Sequence, residues 1–401
     1  MFVETHILQN FALSNLNRDD SGAPKDCDFG GYRRARISSQ CIKRSIRTYF
    51  NEHALLSPQN LSVRTKHLVQ ELANRLAGEG RVREDALRVA RAAMGSISLK
   101  VKERDKSEYL LFVGNSEIAG LAEVCARYWD QLLAAGRSQE TDGATEVAAT
   151  SETRGRRSKK DTPPAEYKPM VEKLLACLDG GEAADLALFG RMIANKPEKN
   201  VDAATQVAHA VSTNRVAMEF DFYTAVDDIP EYDPEAGQGA GMMGTVQYNS
   251  SCHYRYANLD LEQLLRNLNG NEALTRSAVR AFLEANILTV PTGKQTGSAA
   301  QNPPSFVLVV VREKGLWSLA NAFVKPVRPD HDGDLVQNSV KALVDYWVKL
   351  EKAYGEDSIR YKGAVSLEEA PLADIAREPN LNKLLDRAVG LIQFNAVQRR
   401  G

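Results

Sequence analysis

Strand-like segments lie near both ends of this chain, and a long helix-like stretch separates them. Residues 2–13 alternate apolar and polar side chains, and residues 305–311 form a continuous apolar run. Both patterns are typical of strands in a sheet. From about residue 63 to 190 the sequence is instead rich in Ala, Leu, Glu and Arg at helical spacing. We therefore predict an α+β fold in which a helical lobe is inserted rather than appended.

The other segments supply further elements of this fold. Residues 33–37 read as a strand that leads into a helix capped by Ser38 or Ser39. Residues 214–250 have two extended ends and a Gly/Asp/Pro-rich middle, which indicates a long hairpin or arm. We also predict a loop at residues 14–32, a polar segment low in apolar residues at 137–165, strand-like stretches at 186–192 and 206–213, and helices at 261–288 (a pair), 336–354 and 379–397.

Composition excludes several classes of protein but does not identify a partner. The chain has 401 residues, and its 51 Lys+Arg nearly cancel its 52 Asp+Glu. The N-terminus lacks a basic region followed by an apolar run, and no stretch approaches the length of a membrane span, so we expect a cytoplasmic protein. The five Cys and six His show no metal-ligand spacing. We predict no metal site, cofactor or disulfide framework.

A strongly basic stretch stands out against this balanced composition. Residues 32–48 carry six basic side chains and no acidic one. On the predicted helix, Ile42 and Ile46 form an apolar stripe that would anchor it, whereas Lys43, Arg44 and Arg47 lie on the remaining surface. Arg guanidinium groups and the free N–H groups of a helix's first turn both suit phosphate oxygens. We therefore predict a nucleic-acid backbone contact, with a merely solvated basic helix as the alternative.

The candidate contacts are not all equivalent. Arg33 and Arg34 are neighbours on a strand and face opposite ways, so some of these cations must be structural. Composition alone does not favour Met192, Phe222 or Tyr223, although such side chains can stack on bases. The loop at Lys294 and Gln295 lacks the spacing of a phosphate loop, and its contact with RNA and a plain polar turn are equally supported. The backbone contacts that we predict from the residues themselves are Arg18, Lys25, Arg33, Arg34, Arg36, Ser38, Ser39, Gln40, Lys43, Arg44 and Arg47.

No catalytic signature appears in the sequence. It lacks a nucleophile elbow, a zinc-protease motif and a dinucleotide fingerprint. Loop aspartates such as Asp26 and Asp28 could hold a divalent ion beside a phosphate, but such residues are more often turn formers or ion-pair partners. We predict a non-catalytic protein, and we keep open a metal-dependent ribonuclease and a free single-strand binder as alternatives.

Several long motifs occur in a fixed order along the chain: LNRDD (16–20), FGGYRRARISSQCIKRSIR (29–47), FGRM (189–192), YTAVDD (223–228), YRYANLDL (254–261) and LANAF (319–323). With these motifs the chain resembles the CasC family, the backbone subunits of the type I-E CRISPR surveillance complex Cascade. The resemblance spans nearly the whole chain. The chain differs from the family pattern at Tyr32, where a basic residue is common, and at Phe222, where a Trp is common.

The resemblance implies an RRM-like (ferredoxin-like) palm, a helical fingers insertion and a β-hairpin thumb. It places palm segments at 1–60, 186–213 and 251–401, the fingers at 61–185 and the thumb at 214–250. Copies would stack head to tail along a CRISPR RNA, with other Cascade subunits, and the guide would pair with the target DNA strand in antiviral defence. Arg18, Lys25, Ser38, Gln40, Lys43 and Arg47 match positions that hold the RNA backbone, Arg191 and Met192 match the palm wedge, and Phe222 and Tyr223 match the thumb aromatics.

Overall fold

The computed structural model describes residues 1–146, 167–226, 240–331 and 333–394. In this part of the chain the strands are β1 (Phe2–Ser14), β2 (Asp26–Phe29), β3 (Tyr32–Ile37), β4 (Ser62–Thr65), β5 (Val101–Lys102), β6 (Lys106–Ser107), β7 (Leu111–Gly114), β8 (Thr205–Val207), β9 (Ala210–Ser212), β10 (Glu219–Val226), β11 (Ala240–Asp260), β12 (Phe306–Arg312), β13 (Ile359–Ser366) and β14 (Ala376–Arg377). The helices are α1 (Ser39–Glu52), α2 (Leu68–Gly78), α3 (Arg83–Ser96), α4 (Asn115–Arg127), α5 (Trp129–Glu146), α6 (Lys168–Ala176), α7 (Ala184–Phe189), α8 (Leu261–Asn267), α9 (Glu272–Leu288), α10 (Gln295–Ser298), α11 (Leu335–Tyr354) and α12 (Leu381–Gly390).

The chain divides into two compact units. The sheet unit comprises Met1–Leu55, Thr205–Glu262 and Arg276–Gly401, and the helical unit comprises Leu56–Ala204 and Gln263–Thr275. The predicted α+β class is therefore correct. Residues 186–204 belong to the helical unit, although we assigned 186–213 to the palm.

A large mixed sheet forms the sheet unit. Its strand order is β14-β13-β12-β1-β11-β9-β3-β2, and β8 and β10 also pair with β11. The central strand β1 is antiparallel to both neighbours, with Leu8 opposite Tyr254 on β11 and opposite Phe306 on β12. Among the described strands only β13 and β14 pair in parallel. The two ends of the chain thus share one sheet, as the strand patterns predicted.

Both faces of this sheet are covered. On one face Asn286 of α9 donates from Nδ2 to Thr5 Oγ1 (2.9 Å), and Ile42 of α1 lies beside Gln9 and Phe11. Ile46 of the same helix is also buried. On the other face α11 supplies Trp347 to a core cluster that contains Leu8, Tyr254, Leu308 and Phe323. Because successive strand residues point to opposite faces, β1 contributes to both layers.

A helical core holds the second unit together. The cluster is built mainly from α2, α3, α4, α5 and α6, through residues such as Leu72, Val89, Leu121, Leu132 and Leu174. Two small two-stranded sheets, β4 with β7 and β5 with β6, belong to the same unit. Helix α5 extends to Glu146, so the first part of the 137–165 segment is helical and residues 147–166 lie outside the described residues.

One predicted strand is wrong. Residues 184–189 form helix α7, where we predicted a strand-like stretch at 186–192. Five consecutive residues from Ala184 to Leu188 are buried, so the sequence shows no polar face from which a helical period could be read. The helix ends at Gly190, which has a φ of +76° that favours glycine.

No described helix combines the length and apolar content that crossing a membrane would require.

A buried ion pair stabilises the centre of the sheet unit. Arg312 Nη1 lies 3.0 Å from Glu4 Oε2, and both side chains are no more than 1% exposed. Tyr256 Oη and Trp317 N each donate to Glu4 Oε1 at 2.8 Å. Burial raises the pKa of Glu4 above its ordinary value, and these hydrogen bonds oppose that shift.

Removing one partner of this pair should destabilise the protein strongly. We expect Arg312→Leu to lower the free energy of unfolding by about 3–5 kcal/mol, because it leaves a carboxylate buried without its cation. Adding Glu4→Gln should restore part of that loss. Urea denaturation measures both, and Arg280→Ala, which removes an exposed pair with Asp386, should cost less than about 1 kcal/mol. If Arg312→Leu and Arg280→Ala lowered the free energy of unfolding by similar amounts, this role of the buried pair would be contradicted.

Candidate nucleic-acid interface

The start of helix α1 is tied to the loop at residues 15–25. Ser38 is the N-cap, as predicted, and its side chain accepts a hydrogen bond from Cys41 N (3.3 Å). Ser38 N donates to Asn17 Oδ1 (2.8 Å), and Lys25 N donates to Asn17 O (2.8 Å). Arg36 N in turn donates to Lys25 O (2.9 Å). Asn17 therefore fixes Lys25 beside the first turn of the helix.

Several cationic side chains lie near the first turns of α1. Burial raises the pKa of Cys41, but the charges of Lys25 and Arg44 oppose the shift, so both cations lie close to this thiol. Burial also lowers the pKa of Lys43. Within the described part of the chain, Arg18, Lys25 and Arg44 form no ion pair with a carboxylate. These cations thus form a basic cluster that makes no ion pair with the described carboxylates.

A cleft of about 440 Å³ runs beside this cluster. Its walls are the loop of Arg18 and Asp19, the α1 residues Arg44 and Thr48, and Gly293 from the loop before α10. A side chain at Gly293 would collide with Leu16 O, which lies 2.3 Å from the position of a Cβ atom. The two loops are therefore in close contact at the wall of the cleft.

The loop carboxylates are engaged in local contacts. Asp19 Oδ1 accepts hydrogen bonds from Ser21 Oγ (2.7 Å) and from the N–H groups of Ser21 and Ala23, which lower the pKa of Asp19. Asp26 forms a bidentate pair with Arg33 at 2.7 Å, and Asp28 lies 3.5 Å from the same guanidinium. These partners agree with turn and ion-pair roles.

The prediction that Arg34 contacts the nucleic-acid backbone is wrong. Its side chain is fully buried, and its guanidinium donates to the carbonyl oxygens of Ser212, Thr213, Phe323 and Val324. It therefore stabilises the junction between β3, β9 and the loop before α11, and it is not accessible to RNA. The expectation that Arg33 and Arg34 face opposite ways is confirmed, since Arg33 is exposed.

Arg191 also differs from the prediction. In the helical unit its Nη1 lies 2.7 Å from Glu117 Oε2, and both side chains are 1% exposed. Glu117 also accepts from Gly114 N and Gly180 N, each at 2.8 Å. The guanidinium thus holds the helical unit together instead of contacting RNA. Its neighbour Met192 is 81% exposed, beside a cleft that Tyr109 and Leu110 also line.

The hairpin separates the two predicted aromatics. Strands β10 and β11 pair with Phe222 opposite Thr245 and Tyr223 opposite Gly244. Phe222 and Tyr223 therefore lie on opposite faces. Phe220 and Met243 share the face of Phe222, and these three side chains are 64–66% exposed. We did not predict this apolar stripe from the sequence.

Gly244 explains the position of Tyr223. A Cβ atom at residue 244 would lie 2.5 Å from Tyr223 Oη, so the phenol ring lies across the glycine on the neighbouring strand. Tyr223 is accordingly less exposed than Phe222, at 37%. The acidic residues at 227–235 of the predicted arm lie outside the described residues.

Lys294 and Gln295 play different parts in their loop. Gln295 Nε2 donates to Pro291 O (2.9 Å) and Ala300 O (3.3 Å), and its Oε1 is buried, so its amide shapes the loop and is not free to contact RNA. Lys294 is exposed, next to the cleft residue Gly293, and keeps its place as a candidate.

One residue near the basic cluster gave no signal in the sequence. His209, in the turn between β8 and β9, accepts a hydrogen bond at Nδ1 from Ser39 N (3.2 Å) and lies 3.2 Å from Arg36 Nη1. Its distance from Ser39 along the chain hides this contact. A pattern search for helix caps could not find it.

An acidic group lies elsewhere in the sheet unit. Glu351, Glu356 and Asp374 come together among the described residues. The Lys362 ammonium contacts all three carboxylates, so a cation of the protein already compensates them. Ion pairing accounts for this cluster.

Two comparisons with known proteins gave matches over nearly the whole chain. The family model described as "CT1975-like protein" matches residues 3–387. A solved chain from a "CRISPR RNA-guided surveillance complex, pre-nicking" is similar with 30% identity and a TM-score of 0.81, covering 97% of this chain and 99% of that one. A second, from a "CRISPR RNA-guided surveillance complex", has 27% identity and a TM-score of 0.68 with the same coverage. A comparison with curated proteins found no match. The predicted CasC-type membership is confirmed, and the chain belongs to the CT1975-like protein family.

Proposed function

We propose that this protein is a non-catalytic backbone subunit of a Cascade-type surveillance complex that binds CRISPR RNA. The observation that carries the proposal is the similarity over 97% of this chain and 99% of its counterpart to a chain of an RNA-guided surveillance complex. The cations around α1 supply the contact surface. Their sequence-neutral grip suits a scaffold, because base pairing by the guide reads the target.

The strand order supports an RRM-like palm. Strands β12-β1-β11-β9 are adjacent, and along the chain they follow the sequence β1, α1, β9, β11, α9, β12. This is the arrangement of a ferredoxin-like sheet with two helices on one face. In an RRM the opposite face stacks on bases. Here α11 covers that face, so we place the RNA along α1 and its neighbouring loops.

We infer a type I-E system in which copies stack head to tail along the guide with other Cascade subunits, and in which the guide pairs with the target DNA strand. The exposed stripe of Phe220, Phe222 and Met243 is suited to contact bases, as Met192 is in the helical unit. A cytoplasmic, oligomeric complex in antiviral defence is the corresponding setting.

Removing cations of the cluster should weaken RNA binding independently of sequence. We expect Lys25→Ala and Arg44→Ala each to reduce the slope of log affinity against log salt by about 0.7 for each lost single-strand phosphate contact. Fluorescence anisotropy with two unrelated guide sequences measures this slope. Arg360→Ala, which removes an exposed cation paired with Glu313, serves as the control and should leave the slope unchanged. A loss that depends on guide sequence would count against backbone recognition.

The phenylalanines on one face of the β10–β11 hairpin should contribute to RNA binding. Phe222→Ala and Phe220→Ala should each cost about 1–3 kcal/mol in RNA binding for every base that the ring stacks on. Nuclease protection of the bound guide reports the same loss by position. The matched control is Tyr354→Ala, which removes an aromatic side chain that is 74% exposed. If neither phenylalanine variant changed protection, this stripe would have no role in base contact.

A cleavage assay separates the scaffold from the ribonuclease alternative. We expect the assembled complex to leave complementary RNA intact in the presence of Mg²⁺, because Asp26 and Asp28 lie against Arg33. Gel analysis of labelled RNA detects any product. Cleavage at regular spacing that disappears in Asp28→Ala would overturn the non-catalytic assignment and establish the ribonuclease. Absence of any RNA bound by the full-length chain would instead remove both functions.

A further inference from the structure

His209 lies against two hydrogen-bond donors, Ser39 N and Arg36, that we predict to contact RNA phosphates. Its Nδ1 lies 3.2 Å from Ser39 N and 3.2 Å from Arg36 Nη1. Ser39 is the first residue of α1, and its N–H group is among those that helix geometry leaves without an intrahelical acceptor. A guanidinium and a first-turn N–H group are the donors that a phosphate oxygen would use.

The hydrogen bonds define the tautomer and the charge of the His209 imidazole. Both neighbours donate, so Nδ1 must offer its lone pair and the ring must be neutral with its proton on Nε2. Burial, followed by the positive charges of Arg36 and Lys25, lowers the pKa of His209 below its ordinary value. Arg36 comes from β3, Lys25 from the loop before β2, and Ser39 from α1. The ring is itself exposed to solvent.

We propose that His209 occupies the place of a phosphate oxygen in the RNA-free protein, and that an RNA phosphate displaces it from Ser39 N and Arg36. This inference rests on the proposed function and adds a residue to its site. The displaced imidazole then lies beside the phosphate, where its protonated form becomes a favourable partner. RNA binding is therefore coupled to uptake of a proton by His209.

The sign of the coupling follows from the two states. In the free protein the neighbouring cations favour the neutral ring, whereas a bound phosphate favours the charged ring and raises its pKa. The protein–RNA complex consequently holds more protons than the free protein between these two pKa values. Affinity should be highest below this window and should fall as pH rises through it. A pKa shift of one unit corresponds to about a tenfold change in affinity.

The test measures binding of a labelled oligouridylate by the full-length chain between about pH 5.5 and about pH 8, the range in which histidine titrates, at constant ionic strength. We expect wild-type affinity to fall about tenfold across this range. In His209→Ala the profile should be flat, with affinity at the upper pH at least equal to that of the wild type. His209→Gln should also give a flat profile, but with weaker binding, since its amide oxygen can accept from both donors at every pH.

Two further measurements complete the experiment. His331→Ala removes an exposed histidine with no hydrogen bond to a described residue and should retain the wild-type profile. The imidazole Cε1–H resonance of His209, followed by NMR, should titrate at higher pH when the oligouridylate is bound. Wild-type binding that is independent of pH, or an unaltered profile in His209→Ala, overturns the role of His209 and leaves the proposed function standing. Failure of the wild type to bind at any pH counts against the proposed function itself.

Discussion

Pairing of β1 with both β11 and β12 is the constraint on which the rest of the sheet unit depends. The strand runs antiparallel to a segment from the middle of the chain on one side and to a later segment on the other. Its alternate residues supply Thr5 to the layer under α9 and Leu8 to the layer under α11. Because these pairings close the sheet between distant segments, the long stretch between α1 and β8 can form its own core without interrupting the sheet.

Two sets of arginines differ in the partners that they contact. Arg34, Arg191 and Arg312 are buried, and each donates to carbonyl or carboxylate oxygens of its own chain. Arg18 and Arg44 are exposed and form no ion pair with described residues. A near-neutral composition is therefore compatible with a local group of unpaired cations, because the neighbouring Asp26 and Asp28 pair with Arg33. Long-range attraction to an anionic chain depends on this local imbalance and not on net charge.

Local patterns predicted what depends on neighbouring residues. The Ser38 cap, the amphipathic helix after it and the strands β1 and β12 follow from spacing and propensity, and all are present. Patterns could not tell which arginine of the basic stretch turns inward, because the carbonyls that hold Arg34 come from residues 212–213 and 323–324. The contact of His209 with Ser39 could not be predicted either, because these two residues are also far apart along the chain. The separation of Phe222 from Tyr223 was within reach, since neighbours on a strand point to opposite faces.

Strand β11 is unusually long and belongs both to the hairpin and to the central part of the sheet. Its residues from Ala240 pair with β10 in the hairpin, and its residues up to Asp260 pair with β1 in the sheet. At about 3.3 Å per residue, 21 residues extend over roughly 70 Å. A single inserted residue within it would exchange the two faces of everything beyond the insertion. Natural variation in the length of this strand should therefore occur in steps of two, unless a bulge absorbs the extra residue.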